Sequence, residues 1–301
     1  MTERWSIAVF AHNEARNIAA TIRSIDIAAA GASVDVVVLA NGCQDRTVAV
    51  VRELALASIQ LQVIEIPLGD KANAWNLYVH EFAATHPVKA VAMHVFVDGD
   101  VRVEADALRA LATAFDQVPK ANAVGALPTT GRDREAWRRR MIANGTLAGG
   151  LYALRGDFVE RIRLRKIHMP RGLIGEDWLV SLLAKSDLQP LSAIAISGER
   201  VVFANQAGFA FRSLSLLRPG DYRIYLRRLW RYSLRGVQFE MVFGWLLHRP
   251  PESMPTDIEA LYSLSTPPSR LKWIGFTSVL RFLAVQHVRN VRTNGSKKSG
   301  V

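Results

Sequence analysis

The sequence VAMHVFVDGD (residues 91–100) decides the fold assignment, because it joins a continuous apolar run to two closely spaced acids. The run from Val91 to Val97 has the composition of a strand that is covered on both faces. Asp98 and Asp100 follow where this strand ends. Both carboxylates can face one crevice, and hard cations such as Mg²⁺ or Mn²⁺ prefer oxygen ligands. A surface turn built on the Asp-Gly pair is the alternative interpretation.

Further apolar runs of the same character lie on both sides of this stretch and are separated by segments with helical spacing. The predicted strands are Trp5–Phe10, Val34–Leu39, Leu61–Ile66 and Ala123–Leu127, and the predicted helices are Glu14–Ala30, Thr47–Ser58, Ala72–Thr85 and Glu104–Val118. This alternation indicates an α/β fold with a doubly wound, mostly parallel, Rossmann-like sheet. Ligands of such sheets bind outside the carboxyl ends of the strands.

Polar residues follow the first three strands at those ends. Asn13 and Glu14 come after the first strand, and Asn41 comes after the second. The Asn41 amide offers a donor and an acceptor to the edge of a nucleobase. Lys71 comes after the third strand, where a predicted helix begins, and adds charge to a place suited to phosphate. A solvated lysine is the alternative for Lys71.

A second pair of acids occurs much later, in Gly175-Glu176-Asp177-Trp178. These acids precede the helical pattern Leu179–Leu183, so they can cap that helix and interact with its dipole. A carboxylate in a water-poor cleft can instead have its pKa raised enough to accept a proton from an attacking hydroxyl. Taken alone, the pair is more simply interpreted as a cap.

The composition limits the classes of partner and the compartment. The chain of 301 residues has a net charge of +11 and one cysteine, Cys43. The positive charge indicates a surface that attracts anions, whether small phosphates, nucleic acid or lipid headgroups. No secretory signal is evident, and no run reaches the roughly 18 uncharged residues of a spanning helix. We therefore expect a cytoplasmic protein, either soluble or peripheral on the inner face of the membrane.

The ordered set of motifs resembles the family 2 glycosyltransferases, which have the GT-A fold. That family carries P-x-x-N-E, D-D-G-S-x-D-x-T, G-K-x-x-A-x-N, D-x-D and E-D motifs. The matching residues are Asn13-Glu14; Gly42 with Asp45 and Thr47; Lys71 with Ala74 and Asn76; Asp98-Gly99-Asp100; and Glu176-Asp177. The segment from Gly150 to Arg155 also resembles the family's acceptor-side segment. Each motif is weak alone, but five in register from residue 5 to about residue 190 are specific.

The resemblance implies an inverting, metal-dependent transfer of a sugar from a nucleoside-diphosphate sugar to an acceptor hydroxyl, in bacterial polysaccharide or glycolipid biosynthesis. Asp98 and Asp100 would hold Mg²⁺ or Mn²⁺, and Asp177 would be the general base, supported by Glu176. A UDP-sugar is the favoured donor, with GDP- and dTDP-sugars as alternatives, and the acceptor is a glycan or a lipid-linked glycan. The implied donor contacts are Ala11, Asn13, Glu14, Asn41, Lys71 and Asp98, and the implied acceptor contacts are Gly150, Tyr152 and Trp178.

Departures from the family pattern keep alternatives open. Ala40-Asn41 stands where the family has an acidic pair, so the base of the donor is undetermined, and Ala11-His12 also departs from the usual opening. A nucleotidyltransferase of similar fold is one alternative, although the Gly-rich basic loop expected of it is absent. A catalytically inactive sugar-nucleotide-binding protein is another, although its acids would be expected to be lost. Nucleic-acid-binding motifs are absent, so no nucleic-acid partner is predicted.

The change of composition along the chain, together with the resemblance, predicts a GT-A catalytic domain (1–206) and a basic helical C-terminal extension (207–292). The Ser, Gly and Lys content of residues 293–301 predicts a disordered tail. The catalytic domain would comprise a nucleotide-sugar-binding half (1–127) and an acceptor half (128–206). The main helices of the extension are predicted at Tyr222–Gly236 and Lys272–Arg292. Its aromatic residues are Trp230, Phe239, Phe243, Trp245, Trp273, Phe276 and Phe282, and its basic residues include Arg227, Arg228, Arg231, Arg235, Lys272, Arg281, Arg289 and Arg292. Such residues either lie on anionic lipid or form a core beneath solvated arginines.

Overall fold

The described residues of the computed structural model are 4–85, 91–193, 198–212, 219–267 and 276–298, and they fall into two compact units. The first unit contains the described residues of Met1–Lys166, Glu176–Leu188 and Ile196–Ser213. The second contains those of Ile167–Gly175, Gln189–Ala195 and Leu214–Val301. The two units are defined by which residues pack together and not by order along the chain. Two short segments from the middle of the chain therefore belong to the C-terminal unit.

The first unit is built on one eight-stranded sheet in the order β3-β2-β1-β4-β7-β6-β8-β5. The strands are β1 Arg4–Ala11, β2 Ser33–Asn41, β3 Ile59–Ile66, β4 Val91–Asp98, β5 Val101–Val103, β6 Ala123–Pro128, β7 Leu151–Arg155 and β8 Val201–Phe211. Strands β1 to β4 are parallel, β7 is antiparallel to β4 and β6, and β5 is antiparallel to β8. The predicted α/β fold is confirmed, and all five predicted strands are present.

Seven helices accompany this sheet in the described part of the first unit. They are α1 Ile18–Ala28, α2 Thr47–Arg52, α3 Lys71–Leu77, α4 Ala107–Gln117, α5 Arg134–Asn144, α6 Gly156–Leu164 and α7 Glu176–Lys185. Helix α3 continues into a π-helical turn at Tyr78–Phe82 and a 3₁₀ turn at Ala83–Thr85. Helix α2 ends well before the predicted Ser58, because the Asp26 carboxylate accepts the backbone N–H groups of Ala57 and Ser58 and holds that segment outside a helix.

The sheet has a fully buried aromatic layer beneath the ends of its central strands. Phe96 of β4 stacks on Tyr152 of β7, with ring centroids 4.9 Å apart, and on Trp75 of α3 at 6.1 Å. All three side chains are among the most deeply buried of the described residues. Aromatic rings pack large apolar areas with defined orientation. The layer therefore gives the overlying strand ends a rigid floor.

The second unit is helical. Its helices are α8 Pro219–His248, α9 Ile258–Leu264 and α10 Phe276–Lys298. Within the unit, Gln238 of α8 accepts the backbone N–H of Ile174 and donates to the hydroxyl of Tyr262 in α9. In the described residues, no helix is both long enough and apolar enough to span a bilayer.

Three predicted boundaries differ from the structure. The division expected at Gln206 falls inside β8, which runs on to Phe211 because the polar pair Asn205-Gln206 is a bulge and not a strand end. Helix α8 extends beyond Gly236 to His248. Helix α10 continues past Arg292 to Lys298, since no proline interrupts this part of the predicted tail. Lys272 and Trp273 lie outside the described residues.

Candidate active site

The acids Asp98 and Asp100 lie at the carboxyl end of β4, as predicted, and Gly99 fixes their place. The Gly99 N–H donates to the carbonyl of Phe10 in β1 at 2.8 Å. A Cβ atom added at Gly99 would lie 2.9 Å from that same carbonyl oxygen. Because such a contact forces a shift of the backbone, only glycine lets the turn close against β1. Close packing against β1 therefore explains why a glycine stands between the two acids.

Lys71, the first residue of α3, joins the two acidic motifs. Its Nζ lies 2.5 Å from Oδ1 of Asp98 and 2.5 Å from Oε1 of Glu176. Burial alone would lower the pKa of Lys71, but the two carboxylates outweigh burial and hold that pKa well above its usual value. The lysine is therefore charged, and it links the end of β4 to the start of α7.

Burial raises the pKa of Asp98 to about 7, although Lys71 opposes that rise. The nearby carboxylates of Glu176 and Asp100 raise the pKa of Asp98 further. One lysine thus sits among three acids, and the cluster has an excess of negative charge. Such a cluster is suited to a further cation.

Asp177 is tied to the short segment that precedes β7. Its carboxylate accepts the backbone N–H of Gly149 at 3.0 Å and that of Trp178 at 2.9 Å. The same stretch is held again where Leu147 donates its N–H to the Ser181 hydroxyl of α7. Helix α7 is thereby locked against the chain leading into β7.

Gly149 shows how closely the acids converge. A Cβ atom added there would lie 3.1 Å from Lys71 Nζ, 3.4 Å from Glu176 Oε1 and 3.5 Å from Asp98 Oδ2. Its N–H donates to Asp177. Residues that are far apart in the sequence therefore meet around one glycine, at the carboxyl end of β4.

The loops after β1 and β2 are bound to each other by the residues of the N-E and D-x-T motifs. Asn13 has a positive φ of 57°, and its side-chain oxygen accepts the N–H groups of Gln44 and Asp45. The Glu14 N–H donates to the Thr47 hydroxyl at 2.8 Å. These motif residues shape the rim of the site through their backbone and amide contacts.

Asn41 and Ala11 also form contacts within the sheet edge. Asn41 is only 4% exposed, and its Nδ2 donates to the carbonyl of Ala11 at 3.0 Å. The Asn41 carbonyl lies 2.6 Å from Nδ1 of His12. The amide donor that the sequence assigned to a nucleobase is thus used to join β1 to β2.

Glu14 and Asp100 lie close enough for their charges to interact. Burial raises the pKa of Glu14, the Asn17 amide opposes that rise, and the charge of Asp100 adds to it. Asp100 is half-buried, and its carboxylate has no hydrogen bond or ion pair with any residue that the structure describes. An oxygen ligand of this kind, beside Asp98, fits a hard divalent cation.

The protein alone offers such a cation only part of a coordination shell. Within the described ranges, no group of three or more His, Cys, Asp or Glu side chains is arranged to hold a metal. Mg²⁺ is commonly held by one or two carboxylates together with substrate phosphates. The pair Asp98 and Asp100 fits that second arrangement.

The residues predicted on the acceptor side do not share one environment. Gly150 faces Phe209, and a Cβ atom there would lie 2.4 Å from the ring. Tyr152 is 1% exposed because β7 lies between β4 and β6, and burial raises its pKa well above the usual value. Trp178 is 8% exposed. Tyr152 therefore supports the site from below, and its predicted contact with an acceptor does not agree with this position.

The ion pair of Lys71 with Glu176 and the role of Gly149 were not evident from the sequence. Nearly 80 residues separate Lys71 from Gly149, so no local pattern relates them. The Gly149-Gly150 pair is the one signal that could have indicated them, since paired glycines often mark a close approach of backbone to another group.

The family model described as "Glycosyl transferase family 2" matches residues 6–172. No curated protein sequence matches the chain significantly.

Three solved structures are similar to the chain. The mannosyltransferase PcManGT from Pyrobaculum calidifontis, in complex with GDP-Man and Mn²⁺, has a TM-score of 0.60 and 17% identity over 99% of this chain and 81% of its own. Glucosyl-3-phosphoglycerate synthase from Mycobacterium tuberculosis, with Mn²⁺, UDP and phosphoglyceric acid, has a TM-score of 0.54 and 18% identity over 82% and 80%. S. aureus TarS 1–349 with UDP-GlcNAc has a TM-score of 0.51 and 14% identity over 96% and 81%. At these identities the likeness shows the fold.

Replacing Lys71 with methionine should destabilise the protein. The buried Glu176 would lose this counter-charge, and we expect unfolding to become easier by roughly 1–3 kcal/mol, less than for a fully buried pair because Lys71 is partly exposed. Urea denaturation measures the change. Adding Glu176→Gln to Lys71→Met should restore part of the loss. The exposed Lys120→Met is the control, and equal stability of the two lysine variants would contradict the prediction.

Proposed function

The chain belongs to glycosyl transferase family 2, and we propose that it transfers a sugar from a nucleoside-diphosphate sugar to an acceptor hydroxyl with inversion at the anomeric carbon. The observation that carries this proposal is the convergence of Asp98, Glu176 and Asp177 around Gly149. Two of these acids share Lys71, and the third is held by backbone N–H groups. The cluster lies at the carboxyl end of β4, the edge where ligands of such sheets bind.

Asp177 is the proposed general base. As the acceptor oxygen attacks the anomeric carbon, a new carbon–oxygen bond forms and the acceptor proton passes to the Asp177 carboxylate. The bond from that carbon to the diphosphate breaks, and its electron pair leaves with the diphosphate. One such displacement inverts the centre, and its transition state resembles an oxocarbenium ion. The contact with Gly149 N–H keeps the carboxylate oriented.

The donor diphosphate would lie between Lys71 and the pair Asp98 and Asp100. Lys71 is a fixed positive charge beside this place. Mg²⁺ or Mn²⁺ held by the two aspartates and the phosphates would neutralise the charge that develops on the leaving diphosphate. The rim residues Asn13, Glu14 and Asn41 would border the nucleoside. A UDP-sugar is the favoured donor, with GDP- and dTDP-sugars as alternatives.

Asp177→Asn should lower turnover by roughly 10²-fold or more, because the amide keeps the size of the side chain but cannot accept the proton. Nucleotide-dependent stabilisation should be retained. Transfer is measured with a radiolabelled donor, and NMR of the product reports the anomer. Asp157→Asn, an exposed site on α6, is the matched control. Near-normal turnover of Asp177→Asn would remove Asp177 from this role, and a retained anomer would refute inversion.

A thermal-shift screen of UDP-, GDP- and dTDP-sugars with and without Mn²⁺ tests the donor site. Ligand at 100 times its Kd stabilises the folded state by about 2.7 kcal/mol, so a true donor should raise the melting temperature. The rise should require Mn²⁺ and should be lost in Asp100→Asn but kept in the exposed Asp116→Asn. If none of the donors stabilised the wild type, the proposed function would fail.

We further propose that the second unit contacts an anionic membrane surface through helix α8, where a lipid-linked acceptor would be presented. Tyr225, Tyr232 and Phe243 recur at intervals that return to one face of the helix, and they are 47%, 60% and 37% exposed. The other face buries Leu234, Val237 and Met241. Exposed Arg228 stands beside the outer stripe, three residues after Tyr225 and four before Tyr232, and Arg227 and Arg231 are exposed on the same part of the helix. Interfacial helices combine aromatic and basic residues in this way.

Two of the aromatic residues for which the sequence left a lipid-facing and a core position open pack within the unit. Trp245 lies under the Arg249 guanidinium at 3.9 Å and donates its indole N–H to Ser253. Trp230 packs against His287. Some aromatic residues of the extension therefore pack inside the unit and others face outward. The outward ones are mostly tyrosines, which the sequence analysis did not single out.

Flotation with liposomes that contain anionic lipid tests this surface. The wild-type chain should float at low salt, and Tyr225→Ser with Tyr232→Ser should reduce flotation several-fold, because aromatic area at the interface is lost. Leu264→Ser, an exposed apolar site on α9, is the control. If the wild type failed to float at low salt, the membrane proposal would be abandoned.

A further inference from the structure

A polar cleft of about 550 Å³ lies in the first unit, away from the acid cluster. Its walls come from the end of β5, helix α4, the end of β6, helix α5 and the middle of β8. The polar lining residues are Glu104, Asp106, Arg109, Thr113, Thr129, Arg138, Asn205 and Gln206, and the others are Ala110, Leu127 and Gly208. The volume is within the roughly 300–1,000 Å³ of small-molecule sites.

A bulge in β8 builds one wall of this cleft. From the pair Gly125–Phe203 to the pair Leu127–Gly208, β6 advances two residues while β8 advances five. The extra residues put Asn205 and Gln206 side by side on the surface, where a regular strand would turn one of them inward. Bulges re-aim side chains in this way near functional sites. The two amides are therefore directed into the cleft by backbone irregularity.

The bulge also requires a glycine at its end. A Cβ atom on Gly208 would lie 2.8 Å from Cγ2 of Thr129 and 3.0 Å from the Glu104 side chain. Because Gly208 has none, Glu104 packs closely over the strand beside the amides. The cleft is thus shaped by the fold and not only by the rotamers of exposed side chains.

The polar groups of the cleft have few partners among the described residues. The side chains of Asn205, Gln206, Thr113 and Arg138 make no hydrogen bond or ion pair there. Arg109 approaches Asp106 only at 3.9 Å. Arg138 is half-buried and lines the cleft. A ligand with many hydroxyl groups could satisfy these donors and acceptors together.

The charges of the lining favour a neutral ligand. Two carboxylates, Glu104 and Asp106, offset two guanidinium groups, Arg109 and Arg138. An anionic ligand such as a nucleotide would meet both carboxylates, whereas the hydroxyls of a sugar can donate to them and accept from the arginines and amides.

We propose that this cleft binds a neutral oligosaccharide, as a remote subsite for the acceptor, an inference that rests on the proposed transferase function. Strand β5 connects the two places: Asp100 directly precedes it and Glu104 directly follows it. An extended chain of that length spans about 13 Å. An acceptor glycan of a few sugar units is longer than this span and could extend from the Asp100 end of β5 into the cleft.

Binding of the full chain to an array of neutral and acidic glycans, followed by titration of a bound neutral glycan, tests the proposal. Asn205→Ala with Gln206→Ala, and separately Arg138→Ala, should weaken that binding about tenfold or more. The matched controls Gln117→Ala and Arg139→Ala, exposed and outside the cleft, should bind as the wild type does. Melting temperatures check that the variants are folded, and donor hydrolysis to water should be unchanged in all of them.

The outcomes separate this inference from the transferase proposal. If no neutral glycan bound, if only acidic glycans bound, or if the cleft variants bound as well as the controls, the subsite would be overturned even when a donor and Mn²⁺ stabilise the chain. If glycan binding depended on the cleft but no donor stabilised the protein, the transferase proposal and the acceptor role of the cleft would both fail. If glycan binding depends on the cleft and a donor stabilises the chain, both the subsite and the transferase proposal are supported.

Discussion

The position of Lys71 between Asp98 and Glu176 is the contact on which the rest of the site depends. Three elements that are far apart in the sequence, the end of β4 and the starts of α3 and α7, are brought together by one cation. Without it, the like charges of Asp98, Glu176 and Asp100 would repel each other in a partly buried place, as the raised pKa of Asp98 indicates. The lysine therefore makes an acidic cluster compatible with a folded sheet edge.

Close packing of backbone makes this cluster possible. At Gly99 the Phe10 carbonyl takes the space of a Cβ atom, and at Gly149 the charged groups of the site lie in close contact with that space. At Gly150 it is taken by the Phe209 ring. The buried aromatic layer of Phe96, Tyr152 and Trp75 lies beneath. A rigid floor and tight turns hold the carboxylates in place before any ligand binds, which is the kind of preorganisation that transfer reactions need.

The same sheet also carries a second polar surface, the cleft beside β8, which is formed by a different structural feature. The acid cluster uses the ends of parallel strands, whereas the β8 cleft uses a bulge within a strand. In the first, one lysine pairs with two acids within an excess of negative charge. In the second, amides and a guanidinium line the cleft without partners among the described residues. This contrast accounts for the different ligands inferred for them, a charged diphosphate at one and an uncharged glycan at the other.

The sequence by itself determined the α/β fold, the strands that end in acids and the family, because strand composition and short motifs are local properties. It also predicted that Asp98, Asp100 and Asp177 would belong together. Only the tertiary structure decided that the Asn41 amide donates to the Ala11 carbonyl and that Tyr152 lies under the site. It also decided that Asn205 and Gln206 belong to a bulge. Those outcomes depend on which strands are neighbours and in what register, and a register is set by contacts between distant residues that no local pattern contains.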